Sequence, residues 1–276
     1  MVDVRNWSRV DTAARLRVPT AADDKYSRGV VAVRTGSAAY PGAAVLGVEA
    51  AWRAGAGFVR FVGEGRAADA VIARRPETVA GPDIGSTRVD AWVIGSGTAA
   101  ANRGWDEERA LHAILAGTVP VIVDAGALDL GRAATAPLIV TPHAGEFARL
   151  RDQLGLDTGG DRAADVVETA RALACTVLLK GATTLVASPE GTVLSVEEAP
   201  AWLATAGAGD VLAGMLGALM AATPGAPPAE IAASAAWLHG RAAVLASGAG
   251  DGRPGQPIVA LDVAEAIPAA IGELLS

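Results

Sequence analysis

The chain has 276 residues, 51% of them hydrophobic, and carries a formal net charge of −7. This length and composition allow one large domain or two small ones with a well-filled core, and they exclude an intrinsically disordered chain. The acidic balance argues against a nucleic-acid partner, because such partners require a basic surface.

Three features of the sequence concern the cellular compartment. Cys175 is the single cysteine, so an internal disulfide is excluded and a reducing compartment is favoured. The first residues lack the apolar core of a signal peptide. No stretch offers the ~20 apolar residues that a membrane span needs. We therefore expect a cytoplasmic protein that does not span a membrane.

The predicted elements alternate along the chain, with short β-branched runs between Ala-rich helical stretches. This order is typical of βαβ units around a mostly parallel sheet. Strands are predicted at 30–34, 57–62, 91–94, 119–123, 138–140 and 176–179, with a hairpin from 184–187 and 192–196. Helices are predicted at 43–54, 66–74, 105–116, 145–154, 162–174, 208–221, 229–246 and 262–274. We expect a three-layer α/β/α fold with helices on both faces of the sheet, as one domain over 1–276 in which 1–24 is an N-terminal extension.

The sequence Gly207-Ala208-Gly209-Asp210 opens the predicted helix 208–221, which is apolar on nearly every side and should be buried. Two glycines one residue apart let a ligand approach the backbone, and the free amides of a helix start attract phosphate. Asp210 at such a place suits a residue that accepts a proton. It also suits a first-turn carboxylate that the helix dipole favours. This segment alone does not decide between the two interpretations.

Polar and glycine-rich segments follow five of the predicted strands. Because ligands bind beyond the carboxyl ends of parallel strands, these segments should share one edge of the sheet, although glycine turns after strands are also common. They are Thr35-Gly36-Ser37, Gly95-Ser96-Gly97-Thr98, Asp124-Ala125-Gly126, Thr141-Pro142-His143-Ala144-Gly145-Glu146 and Lys180-Gly181-Ala182-Thr183-Thr184. The last offers an ammonium group, a flexible turn and two hydroxyls to a phosphate. Only two of the 23 basic residues are lysines, Lys25 and Lys180. Neither a Walker loop nor a Rossmann GxGxxG is present.

Three of these motifs carry a resemblance to a known family. Thr141–Glu146, Lys180–Thr184 and the stretch 205–214 are similar to the ADP/ATP-dependent NAD(P)H-hydrate dehydratase family of the ribokinase-like superfamily. Tyr40-Pro41-Gly42-Ala43 and Gly95-Ser96-Gly97 match upstream, so the resemblance covers roughly 25–275. It implies a ribokinase-like fold and an enzyme that repairs a damaged cofactor. That enzyme would remove water from the S epimer of NADHX or NADPHX, with ADP (or ATP) consumed; for ADP the products are AMP and phosphate.

The resemblance also implies roles for individual residues. The nucleotide would contact Lys180, Gly181, Ala182, Thr183, Thr184 and Gly209, and the hydrated dinucleotide would contact Ala43, Gly97, His143 and Asp210. The inferred mechanism phosphorylates the ring hydroxyl and then eliminates phosphate. Asp210 would accept the hydroxyl proton, and the amides of Gly207, Ala208 and Gly209 would form a phosphoryl cradle. The helix start should keep Asp210 ionised and make it a weak base. Mg²⁺ is expected with the nucleotide, but the sequence displays no set of metal ligands.

The chain departs from the family pattern in three places. Asp124-Ala125-Gly126 stands where many members have DAD, and Ala204-Thr205-Ala206 replaces a Gly-rich stretch before Gly207. About 24 residues precede Lys25, which leaves no room for the epimerase domain that is often fused there. We therefore expect a separate epimerase to supply the S form. Because the family often forms tetramers, a homotetramer is also expected.

Two other functions compete with this interpretation. A ribokinase-like kinase for a vitamin precursor such as hydroxyethylthiazole would use the same GxGD segment but stop at the phosphate ester. His143 favours the dehydratase, because thiazole kinases usually carry TPN where this chain has Thr141-Pro142-His143. A non-catalytic module that senses ADP is the second alternative. Asp210 and Lys180 argue against it, since binding alone needs no base.

Overall fold

A computed structural model describes residues 2–157 and 159–276. These residues form one ten-stranded sheet in the order β1-β10-β9-β8-β7-β6-β5-β2-β3-β4, in which every pairing is parallel except those of β9. The strands are β1 (Val4–Asn6), β2 (Val30–Arg34), β3 (Phe58–Val62), β4 (Val79–Gly81), β5 (Ala91–Ile94), β6 (Val121–Val123), β7 (Leu138–Val140), β8 (Thr176–Leu179), β9 (Thr184–Ala187) and β10 (Val193–Val196). All strands except β9 therefore end at the same edge, called the carboxyl edge below.

The helices follow the strands in sequence and cover both faces of the sheet. They are α1 (Arg9–Ala13), α2 (Pro41–Arg53), α3 (Gly65–Arg74), α4 (Trp105–Leu115), α5 (Ala144–Leu154), α6 (Arg162–Leu173), α7 (Ala208–Ala222), α8 (Pro228–Ser247) and α9 (Ala260–Leu275). Short 3₁₀ segments occupy Ala100–Asn102, Ala125–Ala133 and Ala201–Leu203. Over the described part of the chain, none of these helices is both long and apolar enough to cross a membrane.

Two hydrophobic cores lie on opposite faces of the sheet, because successive side chains of a strand point to opposite sides. In β6, Ile122 joins the core formed with α2, α3, α7, α8 and α9, whereas Val121 and Val123 join the core formed with α4, α6 and Ala125–Ala133. β7 and β8 alternate in the same way. The predicted three-layer α/β/α fold is confirmed.

Each predicted strand is present, and the hairpin is the antiparallel pair β9–β10. β1, β4 and α1 were not predicted from the sequence. β1 lies in the segment treated as an N-terminal extension, and it adds a parallel edge strand to β10, with Val4 opposite Val193. Its three side chains are all exposed, so the apolar pattern used to predict the other strands is absent there.

The buried helix α7 packs tightly against α2 and the sheet. A Cβ on Gly214 would lie 2.1 Å from the carbonyl oxygen of Gly47, and one on Gly217 would lie 2.4 Å from Val93 Cγ2. Glycine at these positions lets the backbones approach closely. This packing places the first turn of α7, with Asp210, at the carboxyl edge of the sheet.

Candidate active site

The carboxyl edge brings together the segments that follow β2, β5, β6, β7 and β8. The amide of Gly36 donates a 2.6 Å hydrogen bond to the carbonyl of Ser96, which joins the segments after β2 and β5. Gly97 has φ +75°, and a Cβ there would lie 2.8 Å from Gly36 Cα. Gly95 has φ +106°, and a Cβ there would lie 2.1 Å from the Asp124 carbonyl oxygen. These glycines therefore allow the three segments to touch.

Asp124, immediately after β6, is the centre of a polar network at this edge. Lys180 Nζ lies 2.8 Å from Asp124 Oδ1, and the Thr141 hydroxyl donates to the same oxygen at 2.7 Å. The Ser96 hydroxyl donates to Asp124 Oδ2 at 3.1 Å. The Asp124 side chain is buried, so these donors are what make a buried negative charge tolerable.

The first turn of α7 lies directly against this network. Gly207 precedes the helix in the left-handed conformation, with φ +87°, and a Cβ there would lie 2.5 Å from Leu46 Cδ1. A Cβ on Gly209 would lie 3.3 Å from Lys180 Nζ and 3.6 Å from Asp124 Oδ2. Within the described part of the chain, no side chain caps α7. The Ala208 amide, predicted as part of the phosphoryl cradle, donates to the Thr205 carbonyl at 3.4 Å, whereas the amides of Gly209 and Asp210 have no acceptor among the described residues. These two amides and the adjacent ammonium group form a binding site for an anion.

Asp210 lies in this first turn, and its environment raises its pKa to about 6. Burial is the main cause, and the nearby charge of Asp124 acts in the same direction. The nearby Ser96 hydroxyl and the charge of Lys180 act in the opposite direction. The expectation of a weak base was therefore wrong, because burial raises the pKa of this carboxyl group.

His143 is the N-cap of α5. Its Nδ1 accepts hydrogen bonds from the amides of Gly145 and Glu146 at 3.0 and 3.3 Å, and Glu146 Oε2 accepts one from the His143 amide at 2.8 Å. A neutral ring in this arrangement carries its proton on Nε2. Glu146 Oε2 also lies 3.9 Å from Lys180 Nζ, so this cap borders the polar network.

The turn from Lys180 to Thr184 connects β8 to β9, with Gly181 and Ala182 exposed. Arg162 supports it from α6 by donating to the Thr183 carbonyl at 3.1 Å, and a Cβ on Gly181 would lie 2.7 Å from the Arg162 guanidinium. The Thr184 hydroxyl donates to the Gly181 carbonyl at 3.3 Å. Arg162 thus adds a cation that the sequence analysis did not assign to the site.

Two cavities of about 450 and 540 Å³ open on either side of Tyr40. Four residues line both cavities: Tyr40, Gly97, Ala99 and Asn102. Thr35 and Gly36 border the smaller one, and Glu146 and Arg149 border the larger one. Ala43 lies nearby in the first turn of α2, next to Ala44, whose methyl group packs against Gly36. A cavity of about 730 Å³ near Trp7 and Arg241 shares no lining residue with either.

Comparison with known proteins identifies the family. A family model described as "NAD(P)H-hydrate dehydratase" matches residues 31–252. The chain belongs to this family. The resemblance inferred from the three motifs is confirmed, and the fold is ribokinase-like.

Two curated relatives define the match within the dehydratase family. The "Bifunctional NAD(P)H-hydrate repair enzyme Nnr" of Mycobacterium tuberculosis is 45% identical over 239 residues, which cover 84% of this chain and 48% of that protein. The "ADP-dependent (S)-NAD(P)H-hydrate dehydratase" of Neisseria meningitidis is 38% identical over 235 residues, which cover 78% and 76%. The chain thus spans about half the length of the bifunctional relative and most of the single-function one.

A solved dehydratase structure has the same fold over almost the whole chain. The ADP/ATP-dependent NAD(P)H-hydrate dehydratase of Bacillus subtilis, co-crystallised with ATP/Mg²⁺, superposes with a TM-score of 0.84 at 25% identity and covers 99% of both chains. The overall fold is therefore common to the two proteins.

Three residues of the polar network were placed at this edge from the sequence but were given no individual role. Asp124 and Thr141 directly follow β6 and β7, as Lys180 follows β8, and Ser96 is the second residue after β5. These positions could have indicated their part in the site. His239, on α8, had no such signal. It is buried, and its Nε2 has no hydrogen-bond partner among the described residues. Burial lowers the pKa of His239 to about 4, with a further contribution from the charge of Lys180.

Proposed function

We propose that this protein dehydrates (6S)-NADHX or (6S)-NADPHX to the reduced nicotinamide cofactor at the expense of ADP or ATP, with AMP and phosphate as the other products from ADP. The observation that carries the proposal is the position of Asp210, with its raised pKa, beside Lys180 at the start of α7. Membership of the dehydratase family favours this reaction over a vitamin-precursor kinase. We further propose a cytoplasmic, single-domain homotetramer that works with a separate epimerase.

The nucleotide would bind along the turn Lys180–Thr184 and the start of α7. Lys180 and the amides at the start of α7 would bind the phosphoryl group, since free amides and an ammonium group hold phosphate without further rearrangement. Gly209 leaves room for the group next to Lys180 Nζ. Thr183, Thr184, Gly181 and Ala182 would contact the rest of the nucleotide.

The dinucleotide would extend over the two cavities beside Tyr40, because its two nucleotide halves need two adjoining spaces. Gly97 lines both cavities, and Ala43 and His143 lie at their margins in our proposal. Nε2 of His143 lies 3.5 Å from Glu146 Oε1 on a largely exposed side chain, so it would be able to donate a hydrogen bond to substrate.

In the first step, the oxygen of the ring hydroxyl would attack the terminal phosphoryl group of the nucleotide. Asp210 would accept the proton that this hydroxyl loses. The bond between that phosphorus and the bridging oxygen breaks, and AMP leaves when ADP is the donor. A carboxyl pKa of about 6 leaves about ten carboxylates per carboxylic acid at pH 7. The residue is thus a stronger base than an ordinary aspartate and is still ionised.

In the second step, the carbon–oxygen bond to phosphate breaks, and phosphate leaves with the electron pair. Loss of a proton from the neighbouring ring carbon restores the double bond. The net change is removal of water from the substrate and hydrolysis of one phosphoanhydride. Phosphate leaves far more readily than hydroxide, which explains why a dehydratase would consume a nucleotide.

Mg²⁺ would accompany the nucleotide and neutralise part of the phosphate charge. Among residues 2–157 and 159–276, no group of three or more His, Cys, Asp or Glu side chains could hold a metal ion. Both oxygens of Asp124 are already hydrogen-bonded. The residues therefore fit an ion held by phosphate oxygens and water, as Mg²⁺ commonly is, and we assign it no protein ligand.

The proposal is tested by adding the protein to purified S-NADHX with ADP or ATP and Mg²⁺. We expect the absorbance of the reduced nicotinamide to return, with one phosphate released per NADH formed. Phosphorus NMR distinguishes this result from a kinase, which would accumulate a stable phosphate ester. No recovery of absorbance with either nucleotide would refute the proposed function.

A further inference from the structure

The carboxylate of Asp124 receives three side-chain hydrogen bonds at the centre of the site. Lys180 and Thr141 donate to Oδ1 at 2.8 and 2.7 Å, and Ser96 donates to Oδ2 at 3.1 Å. The side chain is 3% exposed. A carboxylate with its oxygens occupied in this way is not free to take a proton from substrate, so Asp124 is not the general base.

Asp124 is nevertheless close to Asp210, the proposed base. Gly209, next to Asp210 in sequence, would place a Cβ 3.6 Å from Asp124 Oδ2. The hydroxyl of Ser96 has one proton, and it donates this proton to Asp124 Oδ2 at 3.1 Å. Ser96 is also near enough to Asp210 to lower the pKa of that carboxyl group. Asp124 therefore holds in place a hydroxyl that acts on Asp210.

We propose that Asp124 is a positioning residue that holds the Lys180 ammonium and the Ser96 hydroxyl at fixed points and keeps a second negative charge beside Asp210. The inference rests on the proposed function, in which Asp210 is the base. Without Asp124, the Lys180 ammonium would lose its 2.8 Å partner and could pair with Asp210 instead. Such a pair would stabilise the charged carboxylate and weaken it as a base.

Charged and titratable groups reach Asp210 from several elements. Asp124 follows β6, Lys180 follows β8, and Glu146 on α5 lies 3.9 Å from Lys180 Nζ. His239 on α8 is neutral near pH 7, because burial lowers its pKa. Asp124 raises the pKa of Asp210, whereas Ser96 and Lys180 lower it. Substitution of Asp124 should therefore lower the pKa of Asp210, and substitution of Ser96 should raise it.

The first test compares Asp124→Asn with Ser96→Ala in pH profiles of kcat/KM. Asp124→Asn removes a like charge and frees Lys180, so the acid limb should move down by about one pH unit and kcat should fall about tenfold. Ser96→Ala removes a donor to the charged carboxylate, so the limb should move up. A structural role alone would lower kcat without moving the limb, and an unmoved or raised limb in Asp124→Asn overturns the proposal.

Asp124→Glu is the matched control, because it keeps the charge and displaces the carboxylate by one methylene. Its acid limb should stay near that of the wild type while KM for the nucleotide rises, since Lys180 is displaced. If Asp124→Asn does not fold, the pH profile of Ser96→Ala still tests the proposal. A lowered or unmoved limb in that variant contradicts the proposal that Asp124 holds the Ser96 hydroxyl where it acts on Asp210.

A second readout does not depend on turnover. Carbon-13 NMR of labelled, nucleotide-free protein follows the Asp210 carboxyl carbon directly, and Asp210→Asn identifies its signal. Opposite shifts in Asp124→Asn and Ser96→Ala support the positioning role even if the wild type fails to dehydrate NADHX. Turnover by the wild type with no shift in either variant would support the proposed function and refute the role of Asp124.

Discussion

The ammonium group of Lys180 lies 2.8 Å from the carboxylate of Asp124, a residue 56 positions earlier in the chain. The two residues follow β8 and β6, with only β7 between these strands in the sheet. Parallel strand order is what brings them together, because both strands end at the carboxyl edge. Their pairing leaves Lys180 beside Gly209, where a transferred phosphoryl group would be bound.

Substitution of Asp210 by Asn should abolish turnover and leave nucleotide binding intact. Asparagine has nearly the same shape but cannot accept the hydroxyl proton, so kcat should fall on the order of 10²-fold or more. Calorimetry with ADP measures binding, and the absorbance assay measures turnover. Asp69→Asn, on the exposed side of α3, is a matched control and should behave as the wild type. A fully active Asp210→Asn variant would show that another residue is the base.

The activity should also depend on pH in a way that reports Asp210. Its pKa is raised to about 6, and only the ionised form accepts a proton. We therefore expect kcat/KM to fall as the pH drops through about 6, about two units above the limb that an ordinary aspartate would give. Initial rates between about pH 5 and pH 8 measure this limb. A limb below about pH 5 would mean that burial does not control this carboxyl group.

Much of the fold and part of the site could be predicted from the sequence. The strands that are covered on both faces have continuous apolar sequences, and α7 is apolar on nearly every side. These elements can therefore be predicted from the apolar pattern of their own residues. β1 and β4 could not be found this way. Each has three residues, and neither has a buried residue, so only pairing with a neighbouring strand makes them strands.

The protonation chemistry of the site depends on distances between residues of different segments, and no sequence motif specifies these distances. The direction of the Asp210 pKa is set by burial and by Asp124 and Ser96, which belong to other segments of the chain. From the sequence, only the helix start was visible, and it predicts the opposite direction. The hydrogen bonds that make His143 a helix cap were likewise not predicted, although Glu146 three residues later completes a recognisable capping box.

Gly209→Ala should separate activity from stability. The new methyl group would lie 3.3 Å from Lys180 Nζ and would occupy the space proposed for the phosphoryl group. We expect a 10- to 100-fold loss of kcat/KM, on the order of 1–3 kcal/mol in transition-state binding. Alanine favours a helix over glycine by about 1 kcal/mol, so the free energy of unfolding should not fall by more than about 1 kcal/mol.

Gly272→Ala in α9 is the control for this substitution, because no atom of residues 2–157 or 159–276 lies within 4 Å of the added Cβ. It should share the helix-propensity gain and leave the rates unchanged. Urea denaturation and steady-state kinetics on both variants make the comparison. Equal activity of Gly209→Ala and Gly272→Ala would contradict the phosphoryl cradle at the start of α7.

His239→Leu should change how stability depends on pH. The buried imidazole has a pKa of about 4, below its ordinary value of 6.5, so the unfolded chain binds a proton between these values and the folded chain does not. The stabilisation associated with this group is therefore complete above about pH 6.5 and is lost as the pH falls towards 4, on the order of 2–3 kcal/mol. Asp210 acts in the opposite direction, because its raised pKa makes the folded chain the better proton binder at these pH values. Since Asp210 is present in both proteins, the difference between His239→Leu and the wild type isolates the histidine.

Urea denaturation near pH 7 and near pH 5 measures this difference. The His239→Leu variant should gain stability relative to the wild type at the lower pH. His112→Leu, on the exposed side of α4, is the control and should show no such gain. An equal pH dependence in His239→Leu and the wild type would mean that the imidazole takes up its proton without unfolding the protein.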